Sequence, residues 1–248
     1  MPMAACRPQM QRRMTERRST KAVGTKKPTA ASFSEAARRA RAQRLAEALE
    51  VLYPSPKCEL DYSTPFQLLI AVILSAQTTD KRVNTITPTL FEKYPDATAL
   101  SKANLFELRE ILRPIGFFRA KARAIRQTAK LLVKNHHGEV PRTLKELVKL
   151  QGVARKTANV VLGEAFGIAE GIAVDTHVER VARRLGLTRA KTVRGVEKDL
   201  MALTPRERWA KDHLRLVLFG RYLCVARSPK CDRCPVRSDC FAPEAQAR

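Results

Sequence analysis

No apolar run in this 248-residue chain is longer than Leu68 to Leu74, far short of the roughly 20 residues a membrane-spanning helix needs. No apolar stretch follows the early arginines, which excludes an ordinary secretory signal. Two-residue alternation is missing, as are the Asn-Gly and Asp-Gly pairs that mark tight hairpins, so a β-built fold is not expected. There is no internal repeat. Cysteine is sparse before the C-terminal end, with only Cys6 and Cys58, so a disulfide framework of the secreted type is excluded. Acidic residues are scarce as well: 24 Asp and Glu face 47 Lys and Arg, a formal charge of +23. An uncharged or basic partner is therefore a poor match. The expectation is a soluble, cytoplasmic, all-α protein with no membrane association.

What is present begins with that charge. An excess of cations favours a polyanion, because each neutralised phosphate releases condensed counterions, and nucleic acid is the commonest such partner. Residues 1–32 are basic and nearly free of acids, and read as an arm without a core. An organelle transit peptide has the same composition, but the Ala and Arg bias runs through the whole chain. From Ser34 onward helical patterns dominate. Ser34 can cap a first helix bearing Leu45 and Leu49 on one face. Thr64-Pro65-Phe66-Gln67 opens a helix that is apolar all round, as a central buried one should be. Phe118, Ala122, Ile125, Ala129 and Leu132 form a 3.6-residue stripe.

The segment from Thr143 to Ala165 reads as two short helices joined by L-Q-G-V-A-R-K. Gly152 should break the first helix with a positive φ, and the second should begin near Arg155. Its open N–H groups suit a phosphate without reading the bases, although helix–Gly–helix turns also serve as plain connectors. Lys156 falls in the first turn, where the helix dipole and Arg155 disfavour an added cation. That favours the neutral amine a nucleophile needs; neutralising a phosphate is the other role open to it. Asp175, in I-A-V-D-T-H, suits an N-cap, and a carboxylate held in this way could also stabilise positive charge on a sugar or relay protons.

Four cysteines close the chain: Cys224, Cys231, Cys234 and Cys240, with six, two and five residues between them. Four thiolates suit a [4Fe–4S] cluster or a structural zinc. Arg227 and Lys230 lie in the first loop, where a metal-stiffened turn would present them to phosphates.

The hairpin L-Q-G-V-A-R-K-T-A, then V-D-T-H, then C-x6-C-x2-C-x5-C closely resemble the endonuclease III family of helix-hairpin-helix DNA glycosylases, from about residue 35 to 241. The resemblance implies two helical domains flanking a DNA-binding cleft. Residues 33–54 and 168–242 would form an iron–sulfur cluster domain, 55–167 a six-helix domain with the hairpin, and 243–248 a tail. It decides iron over zinc. It implies a monomeric, bifunctional glycosylase and abasic-site lyase acting on oxidised pyrimidines in double-stranded DNA. Lys156 would attack the deoxyribose and form a Schiff base, and Asp175 would assist. L-S-A-Q-T-T-D matches the family's L-S-A-Q-x-T-D, so Gln77 would fill the space left by a flipped nucleotide. I-G-F-F makes Phe117 the wedge, though taken alone Phe117 reads as core. His177 would line the pocket, or simply be a satisfied structural histidine.

Gly152, Val153, Ala154 and Arg155 would hold the DNA backbone. Here Gln151 and Ala154 depart from the usual L-P-G-V-G. The methyl of Ala154 is expected to weaken close approach to phosphate. Adenine-specific relatives lack the lysine and carry a further C-terminal domain, so retention of Lys156 favours the bifunctional branch. A monofunctional glycosylase and a non-catalytic DNA-binding protein are the alternatives.

Overall fold

The computed structural model describes Thr29 and residues 31–246. The expected basic arm therefore lies almost wholly outside the described residues, as do the last two positions of the tail. Among the described residues there are helices and turns and no strand. In order they are α1 (Glu35–Leu52), α2 (Pro65–Leu74), α3 (Asp80–Asn84), α4 (Thr87–Lys93), α5 (Ala97–Ser101), α6 (Leu105–Leu112), α7 (Phe118–His136), α8 (Leu144–Leu147), α9 (Arg155–Phe166), α10 (Thr176–Arg184), α11 (Val193–Leu203), α12 (Trp209–Tyr222) and α13 (Pro243–Gln246).

Local chemistry starts most of them. The Ser34 hydroxyl accepts from the Ala37 N–H, Thr64 from Gln67, Thr143 from Glu146 and Thr192 from Gly195. Each cap satisfies one N–H that the first helical turn leaves open. Pro65 fits the first position of α2 because its fixed φ suits a helix start and no N–H is needed there. In α2, Phe66 and every residue from Leu68 to Leu74 are buried, as an all-round apolar pattern requires.

Two hydrophobic cores form. The first surrounds α2 with side chains such as Leu90, Leu100, Leu108, Leu112, Ile125, Leu132, Leu147 and Val161. The second gathers Leu45 and Leu49 of α1, Val178 and Val181 of α10, Leu200 of α11 and Phe219 of α12. This is an all-α fold of two helical domains. Counted by segment, α2 to α9 outnumber the six expected, because α3, α5 and α8 are only four or five residues each.

The halves are tied at α9, which packs on α2 on one side and on α12 on the other. Glu197 of α11, with its side chain only 8% exposed, accepts from Arg155 at 2.8 Å and from Asn159 at 3.0 Å. Gly171 passes so close that a Cβ there would collide with the Glu197 carboxylate and the Asn159 amide. Arg221 of α12 forms a second tie, pairing with Glu59 and with Asp80 of α3. No described helix is long and apolar enough to cross a membrane.

Candidate active site and cluster module

The hairpin begins with α8, which stops at Leu147, and the chain turns through residues 148–154. Gly152 is thus not the terminator of α8 itself but the pivot of the connecting turn, at φ +81°. A Cβ at this position would meet Ile73 Cγ2 at 3.2 Å and Ala124 Cβ at 3.4 Å. Both backbone angle and space demand glycine. Thr128 Oγ1 donates to the Gln151 carbonyl at 2.7 Å, fixing the turn on α7. Val153 is buried and anchors the turn from below, whereas Ala154 is exposed. Ala154 precedes α9 with φ −86°, an ordinary extended angle that any residue adopts, and no side chain caps the helix start. The first N–H groups of α9 are therefore available to an anion. Arg155 begins α9, but its guanidinium is turned to Glu197. Sequence spacing gave no sign of a partner 42 positions away.

In the first turn of α9, half-buried Lys156 lines a cleft of about 820 Å³ together with Gln77, Asp80, Asp175, His177 and Arg221. Asp175 caps α10: Oδ1 accepts from His177 N at 2.8 Å and from Val178 N at 2.9 Å. Among the described residues Oδ2 takes no hydrogen bond. The carboxylate is therefore held by its helix and keeps one oxygen free for the cleft. Behind it, Lys156 and Asp175 also border a second cavity of about 70 Å³, with Cys58 and His213 in its wall. His213 is buried, and its Nδ1 has no partner among the described residues. Burial, reinforced by the nearby Lys156 charge, lowers its pKa to about 4, so the imidazole is neutral. Burial likewise pushes the Cys58 thiol up to about 11. Neither residue carries a recognisable motif, and sequence reasoning missed His213. His177 lines the cleft and is also held structurally, with Nδ1 3.2 Å from Arg180 and its Cβ packed against Gly220.

Gln77 and Phe117 both adopt left-handed backbone, at φ +54° and +58°. Non-glycine residues held there store strain and concentrate at functional sites. Gln77 is exposed in the cleft. Phe117 is 67% exposed, so it is not the core residue that its type alone suggests. Their loops are linked by two bonds: Lys121 Nζ donates to Thr78 Oγ1 at 2.6 Å, and Arg82 Nε to the Pro114 carbonyl at 2.6 Å. Lys121 is buried, which pulls its pKa below the usual lysine value.

At the C-terminal end Cys224, Cys231, Cys234 and Cys240 line one cavity with Arg184, Leu223 and Ala242. Among the described residues no three His, Cys, Asp or Glu side chains gather as the shell of one ion. Four thiols around one cavity are the ligand set of a [4Fe–4S] cluster. Burial raises the Cys240 thiol and takes Cys234 up to about 11, so iron must displace their protons on binding. Arg184 donates to Cys224 Sγ at 3.4 Å, and hydrogen bonds to sulfur tune such clusters. Arg227 and Lys230 stand exposed on the loop between the first two cysteines.

Comparison with known proteins agrees with this geometry. The profile of the HhH-GPD superfamily base excision DNA repair proteins matches residues 70–206, and that of the iron–sulfur binding domain of endonuclease III matches 224–240. Endonuclease III of Synechocystis sp. is 48% identical over 212 residues, covering 86% of this chain and 96% of the relative. The chain belongs to the endonuclease III family. Endonuclease III of Bacillus subtilis is 50% identical over 190 residues, covering 76% of this chain and 86% of that one. A solved structure of a trapped endonuclease III–DNA covalent intermediate superposes with a TM-score of 0.80 at 46% identity, covering 85% of this chain and 98% of the other. A non-covalent endonuclease III–DNA complex matches equally well, at TM-score 0.80. The cofactor of the four-cysteine module is the family's [4Fe–4S] cluster.

Proposed function

We propose that this chain is a DNA glycosylase and abasic-site lyase of base excision repair that removes oxidised pyrimidines from duplex DNA. The observation that carries the reading is the meeting, in one cleft, of Lys156 and a cap-fixed Asp175. Lys156 Nζ attacks the anomeric carbon of a flipped nucleotide, the glycosidic bond breaks and the base leaves with its electron pair. The fixed Asp175 charge stabilises the cationic sugar as the bond lengthens. Loss of the amine protons and ring opening then leave an imine. A proton departs from C2′, the 3′ phosphate is expelled by β-elimination, and water finally frees the lysine. Free Oδ2 of Asp175 is the available base for these transfers.

DNA binding follows from the same elements. The α9 N-terminus and the backbone of residues 152–155 hold a phosphate, Phe117 unstacks the neighbours, and Gln77 fills the vacated space. Arg155 contributes its N–H here, while its side chain serves the Glu197 tie. The Cys-held cluster gives the C-terminal loop a fixed shape, so that Arg227 and Lys230 meet phosphates. The domain boundaries proposed are 33–54 with 168–242, and 55–167; Gly167, at φ +66° after α9, suits such a junction. We further propose that the protein acts as a monomer at the nucleoid. Gel analysis of a thymine-glycol duplex before and after alkali tests the activity: strand cleavage without alkali is expected. Cleavage only after alkali would leave a monofunctional enzyme.

A further inference from the structure

Helix α7 carries Arg119, Lys121, Arg123, Arg126, Lys130 and Lys134 and not one acidic residue. Five of these bases, all except Lys121, lie within about 80° of one another around the axis at 100° per residue, a stripe roughly 22 Å long. The centre of the stripe lies about 120° around the axis from that of the buried Ala122, Ile125, Ala129 and Leu132. An exposed helix face ordinarily mixes signs so that i,i+4 neighbours pair, as Glu35 with Arg39 in α1 and Glu179 with Arg183 in α10 do. On α7 the i,i+4 pairs Arg119–Arg123, Arg126–Lys130 and Lys130–Lys134 are all like-charged, which destabilises the free helix. The adjacent carboxylates on α6 are already engaged, Glu107 with Lys93 and Glu110 with Arg113. None of the ion pairs among the described residues involves the α7 stripe.

The stripe also has a defined place. It begins beside Phe117, and α7 supports the hairpin turn through Thr128 and Ala124. Arg123, Arg126, Gln127 and Lys130 border a groove of about 450 Å³ whose far wall includes Gln151 of that turn. In this groove Arg126 Nε is buried without a hydrogen-bond partner.

We propose that the α7 stripe is a second grip on the DNA backbone, holding phosphates of the strand that runs between the Phe117 loop and the hairpin. It rests on the duplex-DNA reading above and assigns to α7 a contact independent of the α9 N-terminus. The stripe also offsets the weaker hairpin contact expected from Ala154.

The test replaces Arg119, Arg123 and Lys130 together by Gln, which preserves helix propensity. Binding of a 30-bp duplex with a tetrahydrofuran abasic analogue is measured by anisotropy across NaCl concentration. A lost phosphate contact lowers the log–log salt slope by about 0.9, so a fall of roughly 2 to 3 is expected, with affinity at least about tenfold weaker near 150 mM salt. The control Lys191→Gln/Arg194→Gln/Lys198→Gln, on and beside α11, removes the same charge and should keep the wild-type slope. Arg119→Lys/Arg123→Lys, which keeps the charge, should keep it too. An unchanged slope in the α7 triple variant, or an equal fall in the α11 control, would overturn the proposal. Borohydride trapping by the wild type is read in parallel, so failure of the lysine chemistry shows itself separately from failure of this contact.

Discussion

Asp175 serves two masters, and two substitutions separate them. Its Oδ1 takes both cap bonds of α10, from His177 N and Val178 N, and its Oδ2 is free. Asp175→Asn keeps an oxygen for the cap and loses the charge; the helix-dipole contribution that disappears is about 0.3–1 kcal/mol. Asp175→Ala loses the cap as well, a further ~1 kcal/mol within a range of about 0.5–2. For a chain of this size 1 kcal/mol moves Tm by about 2–4 °C. Asn should therefore melt within about 4 °C of wild type, and Ala a further 2–4 °C or so lower, when holoproteins are scanned at one rate. Activity should not follow that order. Loss of the carboxylate removes proton transfer worth about 10²- to 10⁴-fold, so both variants should fall to a similar low single-turnover rate on an abasic duplex. An Asn variant within threefold of wild-type rate would refute the role of the charge. An Asn variant melting with Ala would refute the cap geometry.

Further predictions rest on other side chains. Phe117→Gly relieves a left-handed backbone at an exposed site, so Tm should hold or rise slightly while lesion processing falls; a large loss of stability, seen by calorimetry, would contradict this. The folded-state pKa of His213, about 4, lies below its unfolded value near 6.5, so between those values the unfolded state binds more protons and stability falls as pH drops. The wild type should lose up to about 3 kcal/mol more than His213→Gln between pH 6.5 and 4, by denaturant titration; parallel curves would contradict it. Cys234→Ser should abolish the broad absorbance near 400 nm expected of the purified holoprotein, and persistence of that band would move the ligand set elsewhere.

Much of this site was legible because its determinants are local. Caps at Ser34, Thr64 and Asp175, the glycine pivot at 152, the α9 start at Arg155 and the four spaced thiols each depend on a few consecutive residues. What stayed hidden depends on chain segments far apart. Arg155 reads as a phosphate contact until Glu197 arrives from α11, and His213 has no motif until α12 brings it behind Lys156. Phe117 illustrates the reverse: an aromatic type argues for burial, and only a left-handed turn turns it outward. Lys121 lies in a helix rich in cations, yet packing buries it and gives it to Thr78.

The central claim concerns a single nitrogen, and mass spectrometry reaches it directly. Holoprotein reacted with an abasic duplex under borohydride, digested with protease and nuclease, should carry the reduced sugar remnant on the peptide containing Lys156, and Lys156→Gln should bind the duplex yet yield no adduct. A remnant on another lysine, or wild-type yield from Lys156→Gln, would contradict the account.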